Sequence, residues 1–191
     1  MNRLGVFFLL SVLVVSGTLS VRAQVVPAGY GRTLSITAGG MVSGFQPDYA
    51  GGGFAETSPN RIYGLGTYVD IHFTHWFQVE AEGRWLRYNQ LANTNETNYL
   101  IGPRLPIQKL HFWRATPYAK ALIGIGDMNF EYGYATGRFT DIAYGGGLDW
   151  KLTRRISVRA IDFEYQQWPK WINNQQLFPY GASVGVGYKI F

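Results

Sequence analysis

Phe77-Gln78-Val79-Glu80-Ala81-Glu82-Gly83-Arg84-Trp85 alternates without a break, with Phe77, Val79, Ala81 and Trp85 on one side of an extended chain and Gln78, Glu80, Glu82 and Arg84 on the other. Such a period of two marks a β-strand with two unlike faces. Two carboxylates and a guanidinium in a row on one face are the informative part. In a soluble barrel the apolar side chains turn to the core, whereas in a membrane barrel they turn to lipid and the polar ones line the lumen. Alternation alone fits a soluble β-sandwich as well.

The same pattern spreads outward from this segment. Upstream, Tyr63, Leu65, Val69, Ile71 and Phe73 oppose Gly64, Gly66, Tyr68, Asp70 and His72, and before them Leu34, Ile36, Ala38 and Val42 oppose Ser35, Thr37, Gly39 and Ser43. Downstream, strands are expected at 97–105, 116–126, 139–150, 156–165 and 178–191, giving eight. In the fifth, Ala119, Ala121, Ile123 and Ile125 oppose Tyr118, Lys120, Leu122 and Gly124; in the sixth, Ile142, Tyr144, Leu148 and Trp150 oppose Ala143, Gly145, Gly147 and Asp149. Val158 and Phe163 fall out of phase in the seventh. A bulge near Ala160-Ile161 restores the phase and keeps Arg159, Asp162 and Glu164 on the polar face.

Three further features favour the membrane. Asn2-Arg3 precedes an almost wholly apolar run to Leu19, and Val21-Arg22-Ala23 fits a signal-peptidase site, so residues 1–23 are expected to be a signal peptide cleaved before Gln24. The remaining residues, 24–191, form one barrel domain. The chain carries 24 Gly, 13 Tyr, 12 Phe and 6 Trp but no Cys, which excludes structural disulfides, thiolate metal sites and a cysteine nucleophile. Without Arg3 and Arg22, the 17 Lys and Arg fall to 15 against 12 Asp and Glu, and a net charge of +3 is too weak to suggest nucleic acid. Connections are expected to be long at 46–61, 89–96, 127–138 and 166–178 and short at 74–76 and between strands six and seven, as in a membrane barrel. The connection at 106–114 is longer than its place suggests, and Phe112 and Trp113 there can dip into the interface. Trp76, Phe77, Trp113, Trp150 and Trp168, at strand ends, are expected to form two aromatic girdles. The fold class is therefore an all-β, eight-stranded antiparallel transmembrane β-barrel of the bacterial outer membrane. Pro103 and Pro117 fit it least well, because proline donates nothing to a closed ladder.

Gly64-Leu65-Gly66, Val79-Glu80-Ala81-Glu82-Gly83, Tyr99-Leu100-Ile101-Gly102-Pro103-Arg104-Leu105, Tyr118-Ala119-Lys120-Ala121-Leu122-Ile123-Gly124 and the aromatic C-terminus together resemble the OmpA-like small outer-membrane barrels, the OmpX-like members included. The resemblance spans nearly the whole mature chain and implies outer-membrane lipids and the barrel assembly machinery as partners. Two departures stand out. Phe191 falls off the stripe of Val184, Val186, Tyr188 and Ile190, so the C-terminal assembly signal is altered. No linker or peptidoglycan-binding domain follows the eighth strand, so tethering to the cell wall is not implied.

Asp70, Glu80, Glu82, Arg84, Arg104, Lys120, Asp149 and Arg159 are expected to face inward. A lumen this narrow is filled by its side chains, so opposite charges should pair into a plug. The competing reading is a gated path for ions, opened by re-pairing. Glu80 and Glu82 as an acid–base pair for hydrolysis is much less favoured, and His72, His75 and His111 lack the spacing of a metal site. No catalytic residue and no cofactor is expected. A lipid A-modifying enzyme would need His beside Ser and an acid on the outer stripes, which lack that grouping. Gly145-Gly146-Gly147 precedes no helix and is no phosphate loop, and Asn95-Glu96-Thr97 matches a glycosylation pattern by chance. Lys109, Arg114, Lys151, Arg154 and Arg155 make the short turns basic, suited either to anionic headgroups or to water. Trp168, Trp171 and Phe178 suit the upper girdle better than an adhesive surface for a ligand. The expected role is structural, in membrane integrity or surface interaction, with channel, adhesin and enzyme as alternatives.

Overall fold

The computed structural model describes residues 34–48, 61–89, 94–107, 113–129, 136–170 and 176–190, so the expected signal peptide, His111, Phe112, Trp171 and Phe191 lie outside the described residues. Eight strands follow in chain order: β1 (Ser35–Gln46), β2 (Ile62–His72), β3 (Gln78–Tyr88), β4 (Asn95–Pro106), β5 (Ala115–Asn129), β6 (Thr136–Lys151), β7 (Ile156–Gln167) and β8 (Tyr180–Lys189). Each pairs antiparallel with its neighbour and β8 returns to β1, closing a barrel. Ile190 N–H donates to the Ile36 carbonyl at 2.8 Å beyond the last ladder pair. Closure leaves no strand edge, which lets a sheet sit where water cannot satisfy its backbone.

The faces are inverted relative to a soluble protein. Val42, Leu65, Ile101, Ile123 and Val186 are each about half exposed on the outside, between 55% and 56%, while Glu80 and Arg159 are fully buried inside. An outer belt of this kind belongs in hydrocarbon. Ile123 lies mid-strand, opposite Ile101 on β4 and Ile142 on β6. Ile123→Arg is expected to cost about 2–4 kcal/mol of stability in lipid vesicles, the usual penalty for a cation on the mid-bilayer face of a barrel. Urea unfolding of the vesicle-bound protein measures it. A cost near zero would place this face in water.

Local geometry accommodates the awkward residues. Arg159 pairs with Gly185 but Asp162 with Ser183, so one extra residue bulges at Ala160-Ile161, where the phase of β7 required it. Pro103 pairs with Val79 on β3, while the ladder to β5 is interrupted at Gly102 and Pro103, where the missing donor falls. Pro117 lies just past the last pair between β4 and β5, Pro106 with Tyr118, and accepts a 2.8 Å bond from Ile107 N–H. The short turns are tightened by threonine: Thr74 Oγ1 accepts from Phe77 N–H at 3.0 Å and Thr153 Oγ1 from Ile156 N–H at 2.9 Å.

Two expectations need correction. Both described ends of the connection expected at 127–138 are strand, because β5 and β6 stay paired up to Asn129 and Thr136, and Glu96 likewise belongs to β4. Trp168 is not in a girdle. Its side chain turns inward and is fully buried, stacked on Phe139 at 5.9 Å between ring centres and packed with Met128 and Leu177. The space it fills is opened by Gly126, whose missing Cβ would run into the indole ring. Trp76, Trp113 and Trp150 do face outward at the turn end of the barrel, and Phe77 packs on Trp76 and Phe73 there. At the loop end, Tyr63 and Tyr88 are exposed on the outer face.

Candidate functional site

Inward positions two apart on one strand stack along the barrel axis, so β3 delivers Glu80, Glu82 and Arg84 in a column. Asp70 on β2, Arg104 on β4, Lys120 on β5, Asp149 on β6 and Arg159 on β7 reach the same lumen, and the β7 bulge brings Asp162 and Glu164 in beside them. The structure thus joins all eight charged residues singled out in the sequence, and these two more, in one network.

Lys120 is its centre. Its ammonium lies 2.9 Å from Glu80, 3.1 Å from Glu82, 2.7 Å from Asp162 and 3.0 Å from Glu164. The carboxylate oxygens of Glu80, Glu82 and Asp162 lie within 4.8 Å of one another, a spacing that would suit a metal ion. Here the Lys120 ammonium bonds to all three.

Toward the turn end, Arg159 bonds Asp70 at 3.0 Å, Glu80 at 2.9 Å and Asp162 at 3.4 Å. Arg104 bonds Asp70 at 3.2 Å as well as Asp149 and the Gln78 side chain, and its Nε lies in ion-pair range of Glu80 at 3.2 Å. Toward the loop end, Arg84 grips Glu164 with both terminal nitrogens, at 2.7 and 2.9 Å, and reaches Glu82 at 2.7 Å. Aromatic faces flank the guanidinium groups: Tyr118 at 3.6 Å from Arg104, Tyr68 at 3.7 Å from Arg159 and Phe45 at 4.6 Å from Arg84. Such stacking holds the planar groups flat while their edges bind carboxylates.

The other side of the barrel makes room for these long side chains. β1 and β8 present Gly39 and Gly187 where Tyr68 packs, and a Ser43–Ser183 hydrogen bond of 2.8 Å joins the two strands across the seam. Small inward residues such as these, set among the large ones, let side chains fill the narrow interior.

Sequence reasoning missed a second polar layer above Arg84. Asn98 donates to Asp141 at 2.8 Å and to Gln166 at 3.1 Å, and Glu96 is buried beside them. Asp141 shares its phase with Ala143 and Asp149, a signal that was present. Glu96 and Gln166 looked like loop residues because their strands continue past the apolar stripe. His72 sits at the turn end with its ring 3.3 Å from Thr37 Oγ1, whereas His75 is in the exposed turn.

A closed antiparallel barrel with lipid-facing apolar strands and an ion-paired interior defines the class of transmembrane β-barrels of the outer membrane. The chain belongs to the outer membrane protein beta-barrel domain family, which it matches over residues 10–189. Among solved structures it is similar to Neisserial surface protein A, with a TM-score of 0.57 and 10% identity over 81% of this chain and 96% of that one. It is also similar to the outer membrane protein OprG from Pseudomonas aeruginosa, with a TM-score of 0.54 and 11% identity over 83% and 97% of the two chains. The N-terminal β-barrel domain of OprF from the same organism gives 0.53 and 13% over 81% and 97%. Identities this low speak to the fold alone. No curated protein matches the sequence. The small outer-membrane barrel resemblance carried by the strands is upheld, and with it a location in the bacterial outer membrane.

Proposed function

We propose that this protein is a structural, non-catalytic barrel whose lumen is closed by its ion-pair network, and that it serves membrane integrity and surface interaction. The observation that carries this reading is Lys120, whose ammonium lies within 3.1 Å of four carboxylates and is fully buried among them. A conducting path would have to break several of these bonds at once, and each unpaired charge left in a dry interior is costly. The alternative of a small gated channel requires such re-pairing. An adhesive role would rest on the long loops, much of which lies outside the described residues. A lipid A-modifying role finds no support in the outer stripes, where the described residues that face lipid are almost all apolar or aromatic.

Contact with lipid headgroups follows from the turn end. Arg114, Lys151, Arg154, Arg155 and Lys189 are exposed there, near Trp113 and Trp150, and the Arg155 side chain bonds the Tyr188 hydroxyl at 3.1 Å. Cations beside interfacial indoles suit anionic phosphates. Recognition by the barrel assembly machinery through the C-terminal strand belongs to the same proposal. Deleting the gene in its host is expected to sensitise cells to detergent, with recovery on complementation by the native chain and weaker recovery by an Arg154→Gln/Arg155→Gln chain at equal membrane level. Unchanged detergent tolerance in the deletion strain would remove the integrity role, and full recovery by the variant would remove the headgroup contact.

A further inference from the structure

Among the described residues, eight carboxylates face the lumen, from Asp70, Glu80, Glu82, Glu96, Asp141, Asp149, Asp162 and Glu164, against four cations, from Arg84, Arg104, Lys120 and Arg159. The four cations bond six of the carboxylates. Glu96 and Asp141 are the two left over. Both are fully buried, and neither forms an ion pair with a described residue.

Their oxygens are also short of donors. Both carboxylate oxygens of Glu96 and Oδ1 of Asp141 have no hydrogen-bond partner. Asn98 stands between the two acids, two residues along β4 from Glu96 on the same inward face, and gives its amide hydrogens to Asp141 and Gln166. That leaves the Asn98 Oδ1, itself 1% exposed, without a donor. Arg84 is near, but its terminal nitrogens bond Glu82 and Glu164 and its Nε bonds neither Glu96 nor Asp141. On β5, between Asn98 and Asp141, the inward positions are Gly124 and Gly126, and the Trp168 indole fills the space over Gly126. Trp168, Met128 and Leu177 pack as an apolar group beside this layer, and the Trp168 indole N–H bonds Gln166 at 3.2 Å.

We infer that Glu96, Asn98 and Asp141 form a buried site for a hard divalent cation of the calcium class. Carboxylate and amide oxygens are the ligands such an ion takes. A dication balances two lone carboxylates and serves several donor-less oxygens together. Two protons would also neutralise both acids, but they bring only two donors to a group of four donor-less oxygens. The site is separate from the Lys120 network, where each of the six carboxylates already bonds at least one cation, and it stands or falls apart from the closed-lumen reading.

The test is to refold the chain from urea into zwitterionic detergent micelles with either Ca2+ or EDTA, desalt it, and measure retained calcium by mass spectrometry. About one calcium per barrel is expected in the calcium-refolded protein. Glu96→Gln and Asp141→Asn should each lose it. The native chain should also unfold at higher urea after refolding with Ca2+ than with EDTA, because ligand binding stabilises the folded state by mass action. In EDTA both variants should match or exceed the native chain, since an amide replaces an uncompensated buried charge. If either variant does not fold, the other carries the comparison. Calcium at background in the native chain, as buried protons or water alone would give, overturns the inference. So does equal retention by the native chain and both variants.

Discussion

Lys120→Met is expected to lower the stability of the barrel by about 3–5 kcal/mol or to prevent refolding. The thioether fills much of the same space, so packing is nearly kept and charge is what changes. Four carboxylates at 2.7–3.1 Å from the ammonium lose their shared partner. Arg84 still holds Glu82 and Glu164, and Arg159 still holds Glu80 and Asp162, but each must now offset more negative charge in an interior that excludes water. Adding Glu82→Gln and Glu164→Gln to Lys120→Met should recover part of the loss, because coupled charges are not additive. Urea titration with the gel mobility of unboiled samples as the folded-state signal measures both. A cost below about 1 kcal/mol would mean that the interior is wet enough to screen these charges.

Trp168→Ala is expected to cost about 3–5 kcal/mol, the range for deleting a buried large aromatic. The indole occupies the space left by Gly126, stacks on Phe139 and bonds Gln166. Its backbone exchanges two hydrogen bonds with Leu177, at 2.9 and 3.2 Å, which tie the end of β7 to the start of β8. Truncation leaves a cavity at the loop end of the lumen, and Gly126→Leu in the same chain should refill part of it and restore part of the stability. The same titration checks it. A small loss would place the ring at the interface, where a girdle residue sits.

The difference between Lys120 and Trp168 also shows what the sequence could reveal. Alternation over Phe77 to Trp85 marked a strand with two unlike faces, and the leader, the loop pattern and the aromatic strand ends assigned its polar face to a lumen. The β7 bulge was legible because Val158 and Phe163 cannot share a face without an extra residue between them. Strand ends were not legible. Beyond the hydrocarbon an outward side chain need not be apolar, so the contrast between faces fades, and Asp127, Asn129 and Thr136 look like loop residues although their backbones remain paired. Glu96 and Gln166 were missed for that reason. Trp168 was misplaced because an indole near a strand end fits the interface equally well, and only Gly126 on β5, distant in sequence, shows that the ring turns inward. The pairing partners of each lumen charge depend on the stagger between strands, which no single segment encodes.

The most direct test of the closed lumen is single-channel recording on the barrel refolded from urea into a planar bilayer, with folding first verified by the mobility difference between boiled and unboiled samples. The ion-paired interior predicts a folded, inserted and electrically silent protein. Discrete, sustained openings from the folded fraction, altered in size or frequency by Glu82→Gln, would show that the lumen charges gate a pathway and would contradict the account.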